Sequence, residues 1–112
     1  MPLLQINTNV SIDDSISFSK DASRIIAGML GKPESYVMVV VNTDASLLFA
    51  GSEEACAHLK LKSLGLDESK TSDYSAHLSA FIQNILGISP ARIYIEFSSP
   101  DRHMWGWDGG TF

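Results

Sequence analysis

Apolar residues recur at spacings of three and four from Phe18 through Ala22, Ile25, Ile26 and Met29 to Leu30, while Lys20, Asp21 and Arg24 fall on the opposite side of the same turn-by-turn pattern. This predicts an amphipathic helix. Its start is marked by the capping and first-turn residues Ser11-Ile12-Asp13-Asp14-Ser15, its end by Gly31, and Pro33 blocks continuation. The period changes on either side. Leu3, Leu4 and Ile6 form a first strand ahead of the helix, and Tyr36-Val37-Met38-Val39-Val40-Val41 follows as a β-branched strand that is apolar on both faces. Asn42-Thr43-Asp44 reads as a turn, and Leu47-Leu48-Phe49 as a short partner strand.

The pattern then repeats at an offset of 56 positions, as between Phe18 and Tyr74. Ala22 maps to Leu78, Ile25 to Phe81, Ile26 to Ile82, Met29 to Ile85, Leu30 to Leu86 and Gly31 to Gly87; Val37, Val39 and Val41 fall on Ile93, Ile95 and Phe97, and Leu3 on Leu59. The second half should therefore carry a strand near Ala57 to Leu64, a helix near Asp67 to Leu86 and a strand near Arg92 to Phe97. Two pseudo-repeated β-α-β units give an α+β domain spanning 1-112: a four-stranded mixed sheet, two helices on one face and short extra strands. Val37, Val39, Val41, Ile93, Ile95 and Phe97 face the helices. Tyr36, Met38, Val40, Tyr94 and Glu96 then lie on the other face, because side chains alternate along a strand. No remaining segment is large enough to cover that face. An uncovered apolar sheet face signals association, so a homo-oligomer is expected; a partly solvated antiparallel sheet is the alternative.

Composition narrows the function classes. Eight basic against 13 acidic side chains leave a net charge of -5, opposite to the footprint of a nucleic-acid binder. No apolar run approaches the roughly 20 residues that cross a bilayer, and no basic stretch precedes an apolar signal core, so a membrane is not an expected partner. Cytoplasmic synthesis is expected, with any secretion bypassing a signal peptide. The single cysteine, Cys56, excludes an internal disulfide and reads as a buried thiol. His58, His77 and His103 lack metal-ligand spacing, so no metal is expected.

The candidate chemistry lies at the start. Methionine before a small residue is normally trimmed, which would leave Pro2 with a free secondary amine. An α-amino group titrates at roughly 7.7 to 8.0, and burial or a nearby positive charge lowers that value. Such an amine is a general base at neutral pH, held still by the strand behind it. If Met1 persists, the Pro2 nitrogen is an amide and no base exists; an ordinary surface terminus is the bland reading. At the other end, Trp105, Trp107 and Phe112 hang among Gly106, Gly109 and Gly110 and need a surface, either their own subunit, a pocket wall or a neighbour.

Met1-Pro2-Leu3, Asn7-Thr8-Asn9, Leu30-Gly31-Lys32-Pro33 with Tyr36, Ser63-Leu64-Gly65, Ile88-Ser89-Pro90 with Arg92-Ile93-Tyr94, and Gly106-Trp107-Asp108-Gly109-Gly110-Thr111-Phe112 together resemble the macrophage migration inhibitory factor family of the tautomerase superfamily. The resemblance runs end to end. It implies a homotrimer around a central channel with active sites at subunit interfaces, and a cofactor-free keto–enol tautomerase acting on phenylpyruvate-like α-keto acids, with dopachrome-like compounds as a further class. Position by position, it implies Pro2 as the base and Lys32 as a catalytic lysine that binds the substrate carboxylate and lowers the Pro2 pKa. It further implies that the Leu64 N–H bonds substrate, and that Tyr36, Tyr94, Trp107 and Phe112 wall the pocket. The alternative function it implies is a cytokine-like protein ligand, with a receptor as partner if the chain is exported and tautomerase activity incidental.

Departures from the family pattern bear on these expectations. Glu96 replaces a substrate-contacting asparagine of the mammalian members and would repel an anionic substrate unless neutralised by Lys32 or Arg92. Trp105 replaces a smaller residue at the pocket mouth. Leu59 stands where those members have the second cysteine of a CxxC, so thiol–disulfide activity is not expected. Neither Arg92 nor Arg102 matches the arginine pairs of the superfamily's dehalogenases and decarboxylases.

Overall fold

A computed structural model describes all of residues 1–112. Strand β1 is Leu3–Thr8, helix α1 Ser15–Leu30, strand β2 Met38–Asn42, strand β3 Ala57–Lys62, helix α2 Thr71–Leu86, strand β4 Ile93–Ser98, and a terminal hairpin joins β5, Gly106–Trp107, to β6, Gly110–Thr111. The main sheet has the order β2-β1-β3-β4. β1 is parallel to β2 and antiparallel to β3, and β3 is parallel to β4. The fold is the α+β arrangement that the repeat predicts, and both helices cover one face of the mixed sheet. Neither helix is long and apolar enough to cross a membrane.

The core sits between helices and sheet. Leu4 and Ile6 from β1, Leu59 and Leu61 from β3, Ile26 from α1, and Leu78 and Ile82 from α2 are wholly buried, and the rings of Phe18 and Phe81 meet at 5.2 Å where the helices touch. Val37, Val39, Val41, Ile95 and Phe97 pack against this cluster, the side their parity predicts. Asp14 caps α1 by accepting from the Ser17 N–H at 3.0 Å, so the helix begins at Ser15, after the Ser11–Asp13 run. Gly31 and Gly87 close the two helices at φ 63° and 70°, a conformation that costs other residues a Cβ clash.

Four expectations change. Tyr36 lies in a 3-10 turn, Glu34–Tyr36, and not in the strand: that turn bonds the Val37 N–H back to the Glu34 carbonyl at 3.0 Å, and β2 opens only at Met38. Leu47-Leu48-Phe49 forms no strand, since Phe49 merely bridges Ser52 across a tight turn. The repeat holds for the helices, which begin at the equivalent positions Ser15 and Thr71, but slips at the first strands: Leu59 is fully buried whereas Leu3 faces outward, so Leu3 and Leu59 are not equivalent. A one-residue slip reverses every side chain of a strand.

The fourth change concerns the outer sheet face. It is apolar along the β2 edge, at Tyr36, Met38 and Val40, and at Leu3 and Tyr94. Between these stand Gln5 and Asn7 of β1, His58, Lys60 and Lys62 of β3, and Glu96 of β4. The expectation of an apolar face rests on β2 and β4 alone, and the two inner strands make much of it polar.

Candidate functional site

Pro2 stands at the entrance to β1, inside the fold rather than at its surface. Its side chain is fully buried, and its carbonyl accepts from the Met38 N–H at 3.0 Å, which locks the start of the chain to β2. Beside it opens a cavity of about 340 Å³ whose walls include Met1, Tyr36, Met38, Trp105 and Trp107. Trp107 meets Tyr36 edge-on at 6.3 Å and stacks on Phe112 at 6.0 Å. The hairpin between β5 and β6 aims these rings. Asp108 and Gly109, both at positive φ, make its turn, the Asp-Gly pairing that such turns favour. The aromatic tail therefore packs on its own subunit and walls a pocket at once.

Lys32 reaches the same place by way of the helix end. The left-handed Gly31 reverses the chain so that the Lys32 N–H bonds the Ala27 carbonyl at 3.0 Å, and its Nζ donates to the Leu64 carbonyl at 3.3 Å. The Met1 ammonium is held below its ordinary pKa, first by burial and second by the charge of Lys32. Lys32 is thus close enough to the chain's first amine for its charge to be felt there. Leu64 is buried, and its N–H has no hydrogen-bond partner within the chain.

One protomer sets Tyr36 and Trp107 around the Pro2 cavity, with Phe112 stacked on Trp107, and joins Lys32 to the Leu64 carbonyl beside it. Tyr94 and Glu96 it places elsewhere. Leu3 pairs with Lys62, whereas Asn7 pairs with His58 and His58 with Tyr94. Tyr94 is therefore about 17 Å along the strand direction and about 10 Å across two strands from Pro2, at the usual spacings of a sheet. Its ring lies 4.8 Å from that of Phe49, beside a separate apolar cavity of about 290 Å³ that also includes Cys56 and Leu48. Glu96 contacts His58 Nε2, not Lys32 or Arg92. Within the protomer neither Lys32 nor Arg92 neutralises Glu96, which leaves the repulsion alternative open, because Glu96 points out from β4 beside the side chains of β3.

Arg92 has another employment. Its guanidinium donates to the carbonyls of Phe49 at 3.1 Å, Ser52 at 3.1 Å, Glu54 at 3.0 Å and Ala55 at 3.0 Å, clamping the loop ahead of β3. Asn9 holds the same loop, donating to the Glu53 and Glu54 carbonyls at 3.0 Å and accepting from the Cys56 N–H at 2.9 Å. Thr8 donates to the Cys56 carbonyl at 2.8 Å. The Asn7-Thr8-Asn9 motif is thus structural.

The sequence profile of the family described as Macrophage migration inhibitory factor (MIF) matches residues 1–112. The chain belongs to this family. Among its relatives, the macrophage migration inhibitory factor homolog of Trichinella spiralis is 39% identical, with 100% of each chain covered. The macrophage migration inhibitory factor of Rattus norvegicus is 33% identical, covering 100% of this chain and 99% of its own. The crystal structure of the homologue from Prochlorococcus marinus superimposes with a TM-score of 0.93 at 37% identity over 98% of both chains, and that from Trichinella spiralis with 0.93 at 37% over 98% and 99%. Pro2 and Phe112 thus both fall within a macrophage migration inhibitory factor family match that spans the whole sequence.

Residues in and beside the Pro2 cavity that the sequence does not announce include Ser35 and Lys62. Ser35 lines the Pro2 cavity from the 3-10 turn, and Lys62 lies opposite Leu3 in the antiparallel register. Only the pairing of β1 with β3 places Lys62 there, and no local pattern announces it.

Proposed function

We propose that this chain, once Met1 is removed, is a cofactor-free keto–enol tautomerase acting on phenylpyruvate-like α-keto acids. The observation that carries the reading is the burial of Pro2 beside an aromatic cavity, with Lys32 near enough to depress the pKa of the first amine. Removal of Met1 would move the free amine one residue inward, to a more buried position. Burial and a nearby positive charge both push an amine's pKa down, so the same two influences would favour its unprotonated form.

The reaction follows from these groups. The Pro2 nitrogen takes a proton from the carbon next to the keto group and returns it to the oxygen, giving the enol; the reverse sequence gives the ketone. Lys32 binds the carboxylate, and the unpartnered Leu64 N–H is available as a further hydrogen-bond donor to the substrate. Tyr36, Trp107 and Phe112 offer flat apolar walls to an aryl group and keep water from the base. Tyr94 and Glu96 can join such a site only from another copy of the chain, which is the arrangement of a homotrimer with sites between subunits.

The deciding experiment measures phenylpyruvate tautomerisation on protein whose intact mass proves Met1 absent, alongside protein that retains it. Turnover is expected only in the first. Equal turnover in both would eliminate Pro2 as the base.

A further inference from the structure

Leu3 borders two cavities. On one side lies that of Pro2 and Trp105; on the other lies a cavity of about 330 Å³ on the outer sheet face, where Lys60, Lys62 and Glu96 stand. The two are joined by a cation and a ring: Lys62 Nζ sits 5.5 Å from the ring centroid of Trp105. The negative face of an indole attracts an ammonium, so Lys62 is biased toward the boundary between the cavities. Trp105 is half-buried, and its carbonyl accepts from the Phe112 N–H at 3.1 Å, which ties it to the aromatic cluster. Lys62 is also two residues from Leu64, whose carbonyl engages Lys32. Two ammonium groups thus lie near the same end of β3.

The charges of the outer cavity do not cancel. Glu96 is engaged by His58, whereas Lys60 and Lys62 are in no ion pair. We propose that Lys62, seated on Trp105 and supported by Lys60, is a second anion anchor beside the Pro2 cavity, and that it receives the distal carboxylate of an α-keto dicarboxylic acid whose keto-acid end is held at Lys32. For the reacting end this rests on the tautomerase reading; for the binding end it does not. The chemistry is unchanged, because only the α-proton moves, to the Pro2 nitrogen and on to the keto oxygen, and the distal carboxylate is neither made nor broken. A second charge-assisted contact then favours dicarboxylates over aryl monocarboxylates.

The test uses 2-oxoglutarate and phenylpyruvate with Met1-free wild type, Lys62→Met, Lys62→Arg and Trp105→Phe. Exchange of the protons next to the keto group with deuterated solvent, followed by NMR, gives kcat/KM for both compounds, and calorimetry gives the Kd of 2-oxoglutarate. In Lys62→Met the ratio of the 2-oxoglutarate to the phenylpyruvate kcat/KM falls about tenfold, and the Kd for 2-oxoglutarate weakens by about the same factor. Lys62→Arg recovers most of both, and Trp105→Phe shifts the ratio in the same direction by less. An unchanged ratio and an unchanged Kd in Lys62→Met overturn the anchor. Should wild type fail to exchange phenylpyruvate, the Pro2 reading falls, and the Kd comparison alone decides: weakening in Lys62→Met upholds the anchor, equality removes it.

Discussion

His58 Nε2 meets Glu96 Oε2 across the seam between β3 and β4, on the side of the sheet away from the helices. The contact leaves Glu96 without Lys32 as a partner in its own protomer. If Glu96 completes the site of a neighbouring copy, its carboxylate opposes an anionic substrate there. Glu96→Gln should raise kcat/KM for phenylpyruvate about threefold at low salt and less at high salt, the behaviour of a screened like-charge repulsion. The same substitution should alter urea stability by under about 0.5 kcal/mol, as expected for an exposed pair. No change in kcat/KM at either salt would place Glu96 outside the site.

Pro2→Gly keeps an N-terminal amine but loses the ring that fills the buried position. Turnover of phenylpyruvate should drop by about 100-fold or more, the usual worth of a positioned general base. Circular dichroism should keep the α+β signature. Activity near wild type would assign the proton transfer to another group.

The direction of the pH profile follows from the cation beside the first amine. A base works unprotonated, so kcat/KM should rise with pH through a midpoint below the roughly 8 of an ordinary α-amine. In Lys32→Met that midpoint should move upward, toward the ordinary value, and KM should increase as the carboxylate loses its anchor. Stability follows the same sign. An amine whose folded pKa is depressed makes the unfolded chain bind more protons just below the ordinary value, so stability declines as pH falls through that window. A midpoint unmoved by Lys32→Met would mean that burial alone sets it.

Arg92 offers a fork that lysine cannot imitate. Arg92→Lys should destabilise the chain by about 1 to 3 kcal/mol in urea unfolding, and Arg92→Ala by more, because carbonyls that it holds on the 49–55 loop lose their donors. A cost under about 0.5 kcal/mol for both would mean that water replaces the guanidinium without loss.

Two glycines of α1 and its cap should respond in opposite directions. Gly28 is exposed within the helix, and an added Cβ there meets nothing within 4 Å, so Gly28→Ala should stabilise by about 0.5 to 1 kcal/mol. Gly31 sits at φ 63°, and Gly31→Ala should cost about 1 to 2 kcal/mol. Thermal melts of the pair decide it; equal shifts would contradict the cap assignment.

The helices are legible in the sequence because their period, caps and closing glycines all coincide, and the offset between halves survives in Ser15–Leu30 and Thr71–Leu86. The strands are less so. Tyr36 looks like the first residue of a strand, but the 3-10 turn after Pro33 competes for it, and a short apolar run cannot report that. Leu47-Leu48-Phe49 has the composition of a strand but no partner strand, only the Phe49–Ser52 bridge. Pro2, Tyr36 and Trp107 share one cavity and Phe112 stacks on Trp107, a convergence of the two chain ends that no local pattern announces. The outer face escapes a strand-by-strand reading because its polarity depends on which strands lie between β2 and β4, and an order of β2-β1-β3-β4 is a property of the whole sheet.

Residues 1 and 112 lie around the same cavity, Met1 as part of its wall and Phe112 stacked on Trp107. A purification handle or fused reporter on either end would crowd the compartment under study, whatever its effect on folding. An internal graft is better placed at the exposed turn of Ala50 and Gly51, where the backbone already turns at positive φ. Preparations for ligand work therefore call for seamless tag removal at both extremities.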